Sequence, residues 1–410
     1  MNYDTETKMM EGPEPPPATY AAIVWQQFRK NRPAVFGMWC VIILFLLATF
    51  APLICMNQPL YFASNGRVSF PVFQSLFNRN IWENSVDIFF NLLLVLSPVY
   101  LLGLFLAKGH RLWLGARLPV LHFLLFLCIL PASIFGWKNP LYIQKPIIQY
   151  DVLLQNAHEQ GRNVRAIFPP IPYHYRQTNP NISGDPPSRQ HLLGADKQGR
   201  DVFARMLFGT RISLTIGVVA VSIYVAIGII FGALAGYFGG MIDLVISRLI
   251  EIMFCIPTFF LILTLAAMVE RRSIFHVMAI IGVTSWPEVA RLVRAEFLRL
   301  KELEYSQAAL ALGLPRRRVI FRHLLPNALA PVLVTATFGV AGAILIESGL
   351  SFLALGDITV PSWGELLNQG RLEQKIWLIM YPGLAIFFVV SVFNLVGEGL
   401  RDALDPRLRK

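Results

Sequence analysis

The sequence predicts an all-α polytopic membrane protein of about eight spans, and three observations carry that prediction. Of 410 residues, 55% are hydrophobic and 15% charged, with a mean hydropathy of +0.54, a balance outside the range of ordinary soluble domains. The apolar residues fall in runs near the length of about 20 that crosses a hydrocarbon core roughly 30 Å thick. The 36 Lys and Arg against 25 Asp and Glu, a formal charge of +11, gather in short clusters beside those runs, as the positive-inside rule expects. That placement speaks for a membrane and against nucleic acid as the reason for the charge.

Residues 1–33 form a polar N-terminal tail containing Pro13, Pro15, Pro16 and Pro17. The apolar run behind it is too long for a signal-peptide core and lacks a small-residue cleavage site, so it reads as an uncleaved first anchor. The predicted spans are 34–55, 86–107, 118–136, 211–236, 241–269, 274–290, 328–352 and 377–399. Ser285, Pro287 and Glu288 interrupt the end of the sixth. These divide the chain into the tail, a first span with an extra helical pair (34–136), an extracytoplasmic segment (137–205), a core (206–400) containing a polar loop at 291–327, and a C-terminal tail (401–410).

Orientation follows from the basic residues of the short loops. Arg29, Lys30 and Arg32 precede the first span, Lys108, Arg111 and Arg117 join the second to the third, and Arg401, Arg407, Arg409 and Lys410 follow the last. Even parity puts all three clusters, and both termini, in the cytoplasm. The loop Arg291–His323, with eight Lys or Arg against three Glu, falls on the same side. Arg271 and Arg272 fall on the other and run against the rule. Segment 137–205 faces outward; long segments translocate largely regardless of charge. Its prolines (Pro169, Pro170, Pro172, Pro180, Pro186, Pro187) read as irregular structure, a docking surface for something outside the membrane.

The polar loop is the most informative stretch. Ala308, Ala309 and Ala311 stand one turn before Gly313, which ends a helix by taking positive φ, with Pro315 preventing its continuation. A second element runs from Arg316 to about Pro326. Small residues let such a helix sit close in a groove of another protein; the alternative is a basic amphipathic linker lying on anionic headgroups. Among intramembrane acids, Arg248 three residues before Glu251 points to a pair on one helical face. Glu347 has no local basic partner, and either orients helices across a subunit interface or lines a path. His191, Asp196 and Asp201 lack the ligand spacing of a closed metal site and read as a solvated outer loop. Cys40, Cys55, Cys128 and Cys255 are scattered singly, with no zinc or disulfide spacing. No nucleophile elbow and no G-x-x-x-x-G-K-[ST] phosphate loop occurs, so nucleotide hydrolysis belongs to another chain.

The order Gln307-Ala308-Ala309, three residues, Gly313, nine residues, His323, one residue, Leu325-Pro326 resembles the EAA loop of ABC importer permeases, with Gln307 for the usual Glu and His323 for the usual Ile. His191–Val202 resembles the segment before the permease core, and Leu400–Arg407 its C-terminal signature. Arg322–Asn327 is similar to the peptide-importer branch, C-type subunit. Pro186–Gln190, Val293–Arg299, Gly364–Gly370 and Gly397–Gly399 resemble the Yej-type subunit, associated with import of microcin C and other oligopeptides. The extra helical pair is a departure from the usual six spans.

The resemblance implies a type I ABC importer transmembrane fold in the bacterial inner membrane. Ala308, Ala309 and Gly313 would be the contact and bend of a coupling helix seated in an ATPase subunit, Leu325 and Pro326 would close the loop, and Gln307 would keep a hydrogen bond where a carboxylate would keep an ion pair. The implied partners are a second homologous permease, two ATP-binding subunits that hold ATP and Mg, an extracytoplasmic peptide-binding protein and the lipid bilayer. This chain itself would be a transport subunit without cofactor, metal or catalytic residues. The rival reading is an ion-gradient-driven secondary transporter of small solutes, which favours inverted repeats and paired broken helices; no internal duplication is visible. A membrane enzyme would need a polar catalytic cluster near one interface, and the acids are scattered.

Overall fold

The computed structural model describes residues 20–64, 67–107, 146–160 and 164–405. Within the expected tail, α1 (Tyr20–Lys30) is helical and packs Phe28 against Ala34 and Ala403, near the end of the chain. Asn31 then caps α2 (Arg32–Ile54), accepting from the Ala34 amide at 3.1 Å, and Pro33 lies in the first turn where no N–H is required. The extra pair is described in part. Helix α4 (Ser85–Ala107) has its apolar stretch from Ser85 to Pro98, whereas the predicted span 118–136, its basic loop and Cys128 lie outside the described residues.

Between α2 and α4 the chain folds rather than loops. Strands β1 (Tyr61–Ser64) and β2 (Arg67–Ser69) form a hairpin, followed by α3 (Pro71–Ser75); α5 (Tyr150–Glu159) and β3 (Val164–Ile167) come after α4. The sheet order is β2-β1-β3, antiparallel throughout, with Phe62 opposite Ser69 and Ala166. Tyr150 meets Phe62 edge-on at 5.0 Å, laying α5 on one sheet face. This corrects the reading of 137–205 as irregular. Its strand pairs with one that precedes α4, and local composition carries no signal for a partner so distant in sequence.

Trp82, Tyr175 and Phe208 are buried under this cap together with His174. Burial, and then Arg176 and Arg211, lower the His174 pKa to about 3. An unfolded chain protonates this ring below about pH 6.5, while the folded chain leaves it neutral, so stability falls on acidification from 6.5 toward 3. At pH 5 the expected penalty is about 2 kcal/mol. Melting curves at pH 8 and 5 should separate for the native chain and converge for His174→Phe; an unchanged separation in the variant would assign the acid sensitivity elsewhere.

Helix α6 (Val202–Phe238) is 37 residues long, roughly 55 Å, and overshoots a bilayer core. It starts nine residues before the predicted span because Asp201 caps it, accepting from the Ala204 amide at 2.8 Å, and because its charged first turns are buried: Arg205 is 1% and Arg211 0% exposed. Gly239, at φ 67°, ends it.

The predicted span 241–269 is two helices, α7 (Gly240–Cys255) and α8 (Thr258–Ala267), bent by 81°. Pro257 removes a donor and holds Ile256 extended, at φ −102° and ψ 122°. The span 274–290 is likewise divided into α9 (Ile274–Thr284) and α10 (Trp286–Lys301) at Ser285. Eleven residues cover about 16 Å, half a core. Then come α11 (Glu304–Ala311) and α12 (Arg316–Arg318); a π turn over Val319–Leu324 leads into α13 (Leu325–Phe352). The second polar element therefore runs on past Pro326 instead of ending there. Asn327 Nδ2 donates to the His323 carbonyl at 2.7 Å across this join. Last are α14 (Trp363–Glu373) and α15 (Ile376–Leu404). Among the described residues four helices are long and apolar enough to span, and the bent pair makes a fifth; the expected eight include 118–136, outside the described residues.

Helices α6, α10 and α13 form the core, with Ile216, Val289, Val293, Phe297 and Ile344 all nearly inaccessible. The contact of α6 with α10 is the most extensive among the described residues, and glycines at a spacing of four make it possible. A β-carbon would lie 2.6 Å from Val289 Cβ at Gly228, 2.5 Å from the Ala290 carbonyl oxygen at Gly232, and 2.6 Å from Phe297 Cβ at Gly236. Such rows bring helix backbones together in membranes. Gly232→Val is expected to force the helices apart at a cost of about 1 to 3 kcal/mol, read as a lowered melting temperature in detergent; a variant that melts with the native chain would mean the helices separate freely.

Candidate functional site

Helix α11 is fastened to the end of α10 by one side and leaves the other free. Ser306 is buried and donates from Oγ to the Leu300 carbonyl at 2.8 Å, and Ala309 is 6% exposed. Gln307, Ala308, Leu310, Ala311 and Leu312 face outward, Leu312 with 82% of its surface exposed. The turn beyond is a Schellman motif. Gly313, at φ 75°, donates to the Leu310 carbonyl at 2.9 Å, and Leu314 to that of Ala309 at 3.2 Å. A β-carbon at Gly313 would meet nothing within 4 Å, so the backbone angle, not space, selects glycine.

The six predicted coupling residues thus divide. Gln307 and Ala308 share the free face, and Gly313 makes the bend. Ala309 turns inward and holds α11 to the bundle instead of joining the free face. Leu325, half-buried, and Pro326, exposed, stand at the head of α13. Gln307 Nε2 points back to the Glu302 carbonyl at 3.4 Å. Ser306 as an anchor, and Leu310 and Leu312 as exposed apolar residues, were not singled out from sequence. The helical period marks Ser306 with Ala309, and Gln307 with Ala308 and Ala311, as two faces.

Arg294, on α10, pairs with Asp243 on α7, Nη2 to Oδ2 at 2.7 Å, so the bent pair is tied to the helix that carries α11. A cleft of about 650 Å³ opens beside α11, walled by Leu292, Arg299, Tyr305, Pro331 and Arg401. Arg299 and Arg401 share its wall, and α1 packs at the same end of α15 through Phe28 and Ala403. Of the acids expected within spans, Glu251 pairs with Arg248, Nη1 to Oε2 at 2.5 Å, on an exposed face of α7. Glu347 is 3% exposed and accepts from Ser351 Oγ at 2.8 Å.

At the opposite end the structure overturns the reading of His191, Asp196 and Asp201 as a solvated loop. All three are buried, and no metal-binding group of His, Cys, Asp and Glu occurs among the described residues. Asp201 takes His191 Nδ1 at 2.8 Å while capping α6. Asp196 Oδ2 accepts from Arg200 Nε at 2.7 Å and from Arg205 Nη1 at 2.5 Å. Arg205 also binds Glu365, and reaches Gln369 Oε1 at 3.2 Å. Burial, and then the neighbouring Arg205, lower the Arg200 pKa from its ordinary value. These contacts clasp the segment before α6 to α14. Two stretches quoted above for separate resemblances, His191–Val202 and Gly364–Gly370, are in fact one buried network, invisible from sequence because its halves lie far apart along the chain.

The family described as "Binding-protein-dependent transport system inner membrane component" matches residues 228–410, and "N-terminal TM domain of oligopeptide transport permease C" matches 19–66. The dipeptide transport permease protein DppC of Alkalihalophilus pseudofirmus is 40% identical over 249 residues, 60% of this chain and 82% of that one. The oligopeptide permease OppC of Haemophilus influenzae is 40% identical over 58% and 78%, and the glutathione permease GsiD of Pectobacterium atrosepticum 39% identical over 54% and 75%. A chain of the MetNI methionine ABC transporter, inward facing, aligns with 49% of this chain and 96% of that one at 18% identity and a TM-score of 0.41. With the bundle, both family matches and identity of this level across most of a relative's length, the chain belongs to the C-type permease subunits of ABC importers for peptides and oligopeptides.

Proposed function

We propose that this subunit is half of a transmembrane heterodimer in the bacterial inner membrane, driven by two ATP-binding subunits through α11 and supplied by an extracytoplasmic peptide-binding protein. The α11 end and both termini face the cytoplasm. The substrates are peptides or peptide-like compounds of the Yej type, microcin C among them. What carries the reading is the free face of α11, small at Ala308 and Ala311, on a helix rigidly anchored through Ser306 to α10.

Closure of the ATPase dimer displaces α11 as a rigid body. The Ser306 bond passes the displacement to α10, the glycine row passes it to α6, and the Asp243–Arg294 pair passes it to α7, so alternating access is a movement of packed helices. ATP and Mg are held by the partners, and this chain breaks no bond.

Purification of the chain from membranes should bring down a second permease, ATP-binding chains and a binding protein. In vesicles reconstituted from that complex, peptide uptake should require ATP hydrolysis. Uptake that survives complete ATPase loss and collapses with the ion gradient would favour the secondary transporter, for which paired helix breaks are expected; one bent pair is present among the described residues.

A further inference from the structure

The end of the bundle opposite α11 carries an apolar ridge whose most exposed residues fall between the two family matches, in the interval 67–227. Helix α3 buries Val72, Ser75 and, just beyond its end, Leu76. Its other side presents Phe73, with Phe70 before it and Phe77 after it, at 50%, 50% and 37% exposure. The sheet continues the ridge. Strand register puts Val68, Ala63 and Arg165 on one face, with Tyr61 and Ile167 on the same side. Val68 and Ile167 are 54% and 59% exposed, and the Tyr61 and Phe70 rings meet edge-on at 6.1 Å. The other sheet face is covered by α5 through Tyr150. A contiguous aromatic surface of this kind marks an interaction site.

The height of the ridge identifies its occupant. Asn91, in the second turn of α4, donates from Nδ2 to the Leu76 carbonyl at 2.9 Å. Trp82 Nε1 holds the Ser75 carbonyl at 2.9 Å. Val72 and Ile88 share one buried cluster with Ala51 of α2, and Phe90 packs on Phe45 at 5.7 Å. Helix α3 therefore lies beside turns of α2 and α4 that are still apolar, not above them. Arg165 shares the apolar sheet face, and its guanidinium is suited to a phosphate.

We propose that Phe70, Phe73 and Phe77, with Val68 and Ile167, seat in the bilayer leaflet at that end, at the boundary of headgroups and acyl chains, and hold the cap against the membrane. The seat is independent of how α11 is driven. Its test is a nitroxide on Phe73→Cys, or on Val68→Cys as an independent site, in the full chain with Cys128 and Cys255 replaced, reconstituted in nanodiscs of phosphatidylethanolamine and phosphatidylglycerol. The label should collide more with oxygen than with a water-soluble nickel chelate, and should lose nickel contact relative to a label at Gln190→Cys. Nickel contact equal to that at Gln190 would place the ridge in water, and loss of both collisions would place it under protein; either overturns the seat.

Discussion

Replacing Arg211 with methionine is expected to destabilise the folded chain by about 3 to 5 kcal/mol, the usual cost of stripping one partner from a buried ion pair. Arg211 is fully buried and joins α6 to two other helices. Pro52, inside α2, has no N–H for the Ala48 carbonyl one turn earlier, and Arg211 Nε supplies the missing donor at 2.7 Å. Its Nη1 meets Asp87 Oδ1 of α4 at 3.1 Å, and Nη2 reaches the Thr49 carbonyl at 3.4 Å. The rings of Phe208, Phe90 and Trp82 surround the guanidinium at 5.1, 5.3 and 5.7 Å. Methionine fills much of the volume but leaves Asp87 with Tyr175 alone, the phenol donating to Oδ2 at 3.1 Å. Thermal unfolding in detergent should show the loss, and Asp87→Leu added to Arg211→Met should recover most of it, because no charge is then left buried. A single variant that melts with the native protein would remove Arg211 as the fastener of α2, α4 and α6.

Introducing aspartate at Ala308 is expected to abolish ATP-dependent uptake while leaving the melting temperature unchanged. Ala308 is exposed on the free face of α11, so the chain's own packing does not sense the carboxylate. A close-fitting partner groove does: an unpaired charge buried there costs on the order of 3 kcal/mol, two decades in affinity. Ala308→Ser, small and neutral, should retain uptake, and Gly313→Asp should join the first variant in losing it. Reconstituted vesicles report uptake and ATP hydrolysis separately. Native uptake by Ala308→Asp would exclude this face as the contact.

How much of this was legible in sequence depends on the range of the interaction. The bend at Gly313 was legible, since a small-residue helix followed by Gly and Pro has one local solution. The pairing of Arg248 with Glu251 was equally local, three residues on one helix. The breaks at Pro257 and Ser285 carried a local signal too, but counting apolar residues passes over a proline that divides a run. The glycine row Gly228, Gly232 and Gly236 stood in plain view, and only the approach of α10 reveals what it is for.

The sequence by itself determined the class: apolar runs of about 20 residues in a chain with few charges satisfy their backbone in a bilayer as helices, and the motif order around Gly313 and Leu325-Pro326 resembles that of importer permeases. Tertiary structure alone decided that Ala309 is an anchor and Ala308 a free surface, that the first turns of α6 are buried, and that Asp196 binds Arg200 and Arg205 instead of water. The physical reason is the same in each case. Burial of a charge or of a small side chain depends on what the rest of the chain brings beside it, and here Glu365 and Asp87 arrive from elsewhere in the fold.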